Sequence, residues 1–289
     1  MNTTMFLFGF LSALASIFVW RAFQLKRFDL SDELLNLKPD DHHWGNLGYW
    51  ENTQDYGEAC RQLAMKVGDQ AALDQTSDIL DVGFGCGDQL ILWHQHYRVK
   101  TISGVNTSQA QVGLAQKKLR FEGINAFLHH YDHRAINNQA DRNFSHVLSV
   151  DAAYFFDERD QWFKQVHRVL KPEGKLVVTD LVIPHPPSDL LQEFIMRSLL
   201  WLCGIPKDNV ITLDAYKQQL TEAGFATVSE ADISDAVMDG FAHWLPTYRQ
   251  QFEGVGSLPI WQKYQATAKI LSWLRKHDLL RCYLICAQR

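Results

Sequence analysis

Residues Ile79 to Asp88 read Ile-Leu-Asp-Val-Gly-Phe-Gly-Cys-Gly-Asp, with three glycines at alternate positions and an acid, Asp81, two residues ahead of the first. Glycine allows the backbone to turn through positive φ and to approach a ligand closely. An apolar run ends at Val82 and a helix-permissive run opens at Gln89, so the turn would present the free N–H groups of a helix N-terminus to a bound group. The spacing of Gly83, Gly85 and Gly87 is G-x-G-x-G and differs from the G-x-G-x-x-G of dinucleotide sites. Other groupings carry less. His129, His130 and His133 are close in sequence, but the first two fall on opposite faces of a strand and no zinc-site spacing of Cys or carboxylate accompanies them, so no metal is expected. Cys282 and Cys286 share one face of a strand and read as core thiols. The chain has neither a Gly-x-Ser-x-Gly elbow nor a Gly-Lys-Ser/Thr phosphate loop.

The elements that must position the glycine turn alternate in type. Short β-like runs at 77–82, 99–105, 126–131, 144–150 and 175–181 are interleaved with helical stretches at 89–96, 108–121 and 160–170. That order predicts βαβ units and a mostly parallel sheet. Lys171-Pro172-Glu173-Gly174 reads as a stop and turn between helix and strand. Two later strands, 226–233 and 280–287, are separated by a long helical and aromatic stretch, and the terminal one is expected to run antiparallel. The fold expected is α/β: a Rossmann-like, mostly parallel seven-stranded sheet with helices on both faces. Two additions rich in large apolar residues, 184–210 and 234–278, follow strand ends, where open α/β sheets bind ligands, and read as helical substrate caps.

The first residues are of another kind. Met5 to Trp20 has no charged residue, and Arg21, Lys26 and Arg27 follow. We read 1–27 as a hydrophobic membrane-anchor helix, short for a bilayer core of ~30 Å but able to span with local thinning. Basic residues on its C-terminal flank place the body in the cytoplasm. A buried or interfacial helix and a signal peptide cleaved after Ala13-Leu14-Ala15 stay open as alternatives. Across 289 residues the net charge is −5, which argues against nucleic acid as a partner. Five cysteines without a framework spacing suggest reduced thiols.

With Asp81 at the strand end, the glycine turn resembles motif I of the class I S-adenosylmethionine-dependent methyltransferases. The resemblance runs from roughly Phe28 to Arg289. Gly104 to Gln111 (Gly-Val-Asn-Thr-Ser-Gln-Ala-Gln) resembles the second-strand turn of the subgroup holding tocopherol, sterol and mycolic-acid methyltransferases and cyclopropane fatty acid synthases. Val166 to Asp180 resembles the family's Arg-Val-Leu-Lys-Pro-Gly-Gly segment, and His42 to Glu51 the aromatic segment that covers cofactor and substrate. The resemblance implies S-adenosyl-L-methionine as cofactor, held by Asp81, Gly83, Gly85 and Gly87. By the same resemblance Asn106 and Gln111 would hold the ribose hydroxyls, Asp132 the adenine amino group with His133 near the ring, and Tyr49 would lie over the methyl group. It divides the chain into the anchor, a lid at 28–76, a cofactor-binding core at 77–183 and the two caps.

The chain also departs from that subgroup. Leu47 stands where a cysteine is usual, and Tyr154-Phe155 where a Glu-His pair is usual, so the apparatus that removes a proton in carbocation reactions is in doubt. A neutral acceptor still needs a base, and the candidates, in order, are Tyr154, His43 and His243. We expect methyl transfer to a hydrophobic, lipid-like small molecule at a membrane surface. Trp261, Tyr264, Trp273 and Leu274, beside Lys263, Lys269, Arg275 and Lys276, would face the bilayer. Three alternatives remain: O- or N-methylation of a soluble metabolite, carbon methylation of a sterol or fatty-acyl alkene, and a non-catalytic cofactor-binding module.

Overall fold

A computed structural model describes residues 35–36, 42–250 and 259–289. The seven strands are β1 (Asp78–Val82), β2 (Thr101–Asn106), β3 (Phe127–His130), β4 (Phe144–Ser149), β5 (Leu170–Val182), β6 (Thr227–Asp232) and β7 (Arg281–Gln288). They form one sheet in the order β3-β2-β1-β4-β5-β7-β6. Pairings from β3 through β5 are parallel, while β7 runs antiparallel to both β5 and β6, as the break in the alternation predicted. Helices α1 (Tyr56–Ala71), α2 (Asp88–Gln95), α3 (Gln109–Phe121), α4 (Arg159–Val169), α5 (Leu190–Leu202), α6 (Leu213–Glu222), α7 (Gly240–Arg249) and α8 (Pro259–Lys276) complete the order.

Alternation along the strands splits the core into two layers. Ile79, Leu148, Val177 and Leu284 pack on one face with α1, α2, α7 and α8. Their neighbours Leu80, Val147, Val178 and Ile285 pack on the other with α4 and α6. A strand buried on both faces needs apolar residues throughout, which is why β1 is apolar but for Asp78 and Asp81 and buried along its whole length. The order reverses between β1 and β4, because the chain winds outward from β1 to β3 and then returns. Such a reversal opens a crevice at the carboxyl ends of the two strands.

Three expectations need correction. Lys171 to Gly174 lies inside β5, not ahead of it: Glu173 takes φ 62°, the pairing with β4 shifts between Phe144 and His146, and Gly174 fits because a Cβ would lie 2.8 Å from the Lys171 carbonyl. The aromatic residues of α8 do not form an outward face, since Trp261, Tyr264, Leu271 and Leu274 recur at helical spacing and are buried, Trp261 against Tyr248 of α7, while Trp273 is half-buried on the same core. No helix among the described residues is long and apolar enough to cross a membrane. The anchor expected over residues 1–27 lies outside the described residues, and the placement of the chain on a membrane with its body facing the cytoplasm is not supported, since no spanning helix is found among the described residues.

A buried ion pair ties β5 to α4. Arg159 Nη1 donates to both carboxylate oxygens of Asp180 at 3.1 and 3.0 Å, and Tyr216 Oη donates to the same carboxylate at 2.9 Å. Arg159 also reaches the Asn209 carbonyl, and Asn209 Nδ2 donates to the carbonyls of Tyr154 and Phe156 at 3.0 and 2.7 Å. The network thus fixes the backbone after β4. Removing one partner strands a buried charge, so Arg159→Leu should lower the unfolding free energy by about 3–5 kcal/mol in urea titration. Arg197→Ala, which breaks the exposed pair with Glu193 on α5, should change it by less than about 1 kcal/mol.

Candidate active site

Gly83, Gly85 and Gly87 take φ values of 90°, 59° and 96°, each a conformation that side-chain-bearing residues adopt at a cost. Two of them also have no room for a side chain. A Cβ on Gly83 would lie 2.7 Å from Ala152 Cβ, and one on Gly87 would lie 2.7 Å from Ala115 Cβ of α3. Gly85 differs, with nothing within 4 Å of the position a Cβ would take. The turn is therefore pinned at both ends by neighbouring elements and open at its middle, the shape needed where backbone approaches a ligand. Asn106, at the end of β2, donates through Nδ2 to the Gly85 carbonyl at 3.0 Å and to Gln111 Oε1 at 2.9 Å. The expected pair is thus assembled against the open glycine.

Asp81 is fully buried. It accepts from Gln89 Nε2 at 2.9 and 2.8 Å and from Trp93 Nε1 at 2.6 Å, both on α2. Burial raises its pKa to about 6, against the opposing pull of the Trp93 and Gln89 hydrogen bonds. Asp132 caps the turn after β3, accepting from Arg134 N at 3.0 Å and pairing with the Arg134 guanidinium, which holds its pKa low. His133 is buried, stacked on Phe156 at 4.7 Å, with Nε2 2.8 Å from the Asp157 carbonyl, and burial lowers its pKa.

Residues 42–50 cross the sheet edge and are held by two acids. Asp88, at the first position of α2, accepts from His43 N at 3.1 Å, lies 3.1 Å from His42 Nδ1 and pairs with Lys118 Nζ at 2.7 Å. Asp151, two residues past β4, accepts from Leu47 N at 2.7 Å and from Tyr154 Oη at 2.9 Å. Its backbone N–H donates to Thr179 Oγ1 at 2.7 Å, and its φ of 55° is strained for a residue with a side chain. Its pKa is raised to about 6, chiefly by burial of the carboxylate, although the residue as a whole stays partly exposed. Neither acid was singled out as a site residue from sequence. The signal was the position of Asp151, an acid just past the strand that flanks the glycine strand.

The three base candidates have different surroundings. Tyr154 is buried at the sheet's ligand edge on Asp151. His43 is half-buried beside α2, and its Nδ1 atom has no hydrogen-bond partner. His243 is exposed, because Phe241, Trp244, Leu245 and Tyr248 take the inward face of α7 and leave position 243 on the opposite one. Tyr49 is buried, but its hydroxyl donates to Glu51 at 2.8 Å and its ring lies under Lys66 Nζ at 4.5 Å. No described hydrogen bond or ring contact joins it to the glycine turn.

Asp81 gives a pH signature. Its pKa in the folded protein lies above the ordinary value of 3.8, so the stability it permits is full at low pH and is lost as pH rises through about 6. Between about pH 4.5 and about pH 7.5 the wild type should lose about 2 kcal/mol that Asp81→Asn does not lose, read from denaturant titrations at both pH values.

Comparison with known proteins agrees with this arrangement. Residues 79–174 match the family described as a methyltransferase domain. Erythromycin 3''-O-methyltransferase of Saccharopolyspora erythraea is 30% identical over 219 residues, covering 71% of this chain and 72% of that protein. The 27-O-demethylrifamycin SV methyltransferase of Amycolatopsis mediterranei is 27% identical over 222 residues, covering 72% and 75%. Among solved structures, mycolic acid cyclopropane synthase CmaA1 with SAH and CTAB superposes with a TM-score of 0.74 at 16% identity, covering 91% of this chain and 96% of that one. The [4+2]-cyclase SpnF does so with a TM-score of 0.69 at 22% identity, covering 91% and 93%. The cyclopropane synthase shares the fold, but these relatives by sequence are O-methyltransferases, so the narrower resemblance to the tocopherol, sterol and mycolic-acid subgroup is not carried forward. The glycine turn, the sheet order and these relatives together identify the chain as a member of the class I S-adenosylmethionine-dependent methyltransferases, with S-adenosylmethionine as its cofactor.

Proposed function

We propose that this enzyme methylates a hydroxyl oxygen on a large, mostly apolar small molecule. The observation that carries the cofactor side is the open face of Gly85 between two sterically pinned glycines. In this reading the backbone from Gly83 to Gly87 cradles the cofactor, Asp81 braces the turn from below, and Asn106 with Gln111 meets the ribose hydroxyls. Asp132 and the His133 ring take the adenine end. Tyr49, by its contacts with Glu51 and Lys66, supports the lid and does not touch the methyl group. When bound, S-adenosylmethionine supplies an electrophilic methyl group on a positively charged sulfur. The enzyme's own share is orientation and exclusion of water, which suit a displacement in which charge disappears.

The acceptor side rests on two supports. The two relatives by sequence named above are, by their names, methyltransferases at an oxygen, one of erythromycin and one of demethylrifamycin SV. Leu190, Leu191 and Phe194 of α5 lie 85%, 65% and 57% exposed after the end of β5, more apolar surface than a polar metabolite requires. N-methylation of a small soluble amine keeps the cofactor site and leaves that surface without a use. The aromatic stack of Trp50, Trp244, Tyr56 and Tyr248, with centroid spacings of 4.5 to 5.2 Å between successive contacts to Trp244, holds the lid on α7.

Two outcomes are expected. Gly85→Ala should weaken S-adenosylhomocysteine binding at least about tenfold in calorimetry while lowering stability by only about 1 kcal/mol, since the strain of one left-handed alanine is small. With methyl-labelled cofactor and a panel of hydroxylated macrolactones, sterols, phenols and phosphoethanolamine, label should appear in ether products. Label confined to amine or alkene-carbon products would refute the reading.

A further inference from the structure

We propose that Tyr154 and Asp151 form a proton relay that deprotonates the acceptor hydroxyl, with Tyr154 Oη meeting the hydroxyl and Asp151 receiving the proton behind it. This rests on the O-methylation reading. The geometry is directional: Tyr154 Oη donates to Asp151 Oδ1 at 2.9 Å, and no described residue donates to the phenol oxygen, whose lone pairs are left for an incoming hydroxyl. The second carboxylate oxygen accepts from Leu47 N at 2.7 Å, so the relay is complete only with the lid segment in place. Asn209 holds the Tyr154 carbonyl at 3.0 Å and Thr179 holds the Asp151 N–H at 2.7 Å, which fixes both members independently. Both follow β4, whose end packs on the glycine turn: Ser149 Oγ donates to the Val82 carbonyl at 2.8 Å, and Ala152 is the residue that crowds Gly83. Strain at Asp151 is of the kind that persists where function demands it.

The chemistry requires both residues. Burial and the neighbouring Asp151 push the Tyr154 phenol well above its ordinary pKa, so it is not a phenolate at neutral pH and acts only by passing its proton on. A carboxyl poised at about 6 accepts that proton near neutrality. As the acceptor oxygen bonds to the methyl carbon, the S–C bond breaks and its electron pair returns to sulfur, ending as a neutral thioether. The hydroxyl proton passes to Tyr154 Oη and the phenol proton to Asp151 Oδ1. Asp151 gives up that proton to water once the product has left, which resets the relay.

The test uses the full chain, methyl-labelled cofactor and a hydroxylated macrolactone in single turnovers. Ether formation by the wild type should rise with pH through about 6. Tyr154→Phe and Asp151→Asn should each slow it about a hundredfold, with S-adenosylhomocysteine affinity held within about threefold. A phenol, whose proton leaves more readily, should lose less than about tenfold in Tyr154→Phe. Independently of turnover, the cofactor-free protein should show protonated-carboxyl infrared intensity titrating near pH 6 from Asp81 and Asp151 together; in an Asp81→Asn background the remaining band should be lost on adding Asp151→Asn and shifted on adding Tyr154→Phe. Ether formation in both variants within about threefold of wild type, or a band unmoved by Tyr154→Phe, overturns the relay and leaves the O-methylation reading standing. Label in amine or carbon products alone overturns both. Should the variants fail to fold, a flat wild-type profile between about pH 5 and about pH 8 overturns the relay.

Discussion

The contact between the turn after β1 and the turn after β4 is the constraint on which the rest of the site depends. Ala152 lies where a Cβ on Gly83 would have to go, and Ser149 hydrogen-bonds the last carbonyl of β1. That approach closes one side of the crevice at the sheet's reversal and places Asp151 and Tyr154 beside the glycine turn. From the other side α3 presses Ala115 against Gly87. Between the two contacts Gly85 faces open space, and its carbonyl accepts from Asn106, supplied by the next strand. The proposed cofactor cradle is thus a consequence of packing between three elements as much as of glycine content.

The lid couples to the same place. Within it the His43 and Leu47 amides are held by carboxylates that follow the two strands flanking the reversal, Asp88 beyond β1 and Asp151 beyond β4. The two acids are pushed in opposite directions. Asp88, although desolvated, is held low by His42, Lys118 and the His43 amide, while Asp151, with no cation beside it among the described residues, is pushed up. One therefore serves as a charged anchor near neutrality, and the other sits where its proton is exchangeable. One fold edge thus holds two acids of opposite behaviour, according to whether His42, Lys118 and the His43 amide or only the Leu47 amide and Tyr154 hydroxyl meet the carboxylate.

Much of this was legible in the sequence because local signals and the global fold agree. Apolar runs of strand length ending in a glycine turn, followed by helices at regular intervals, specify parallel crossovers with little ambiguity, and the long interruption before 280 marked the antiparallel strand. The Asn106–Gln111 pair was legible because it lies within six residues of one turn. The contacts made across long sequence distances were not. Leu47 meets Asp151 over 104 residues, and no local pattern announces that an acid after β4 will receive a lid amide. Tyr49 and His243 show a related difficulty: an aromatic or histidine in a lid or cap reads the same in sequence whether it faces the site, a lysine or solvent. The amphipathic period of α7, with Phe241, Trp244, Leu245 and Tyr248 inward, carried the information about His243. The bulge at Glu173 shows the opposite case, where a strong turn signal was absorbed into a strand.

The central claim is that cofactor and proton acceptor meet where β1 and β4 part. A crystal structure with S-adenosylhomocysteine bound tests it most directly. The account predicts the ligand along Gly83 to Gly87, its ribose hydroxyls on Asn106 and Gln111, and its sulfur on the Tyr154 side, separated from Oη by about the span of one transferred methyl and one acceptor oxygen. A ligand bound elsewhere, or one whose sulfur faces away from Tyr154 with the lid closed on Asp151, would contradict it.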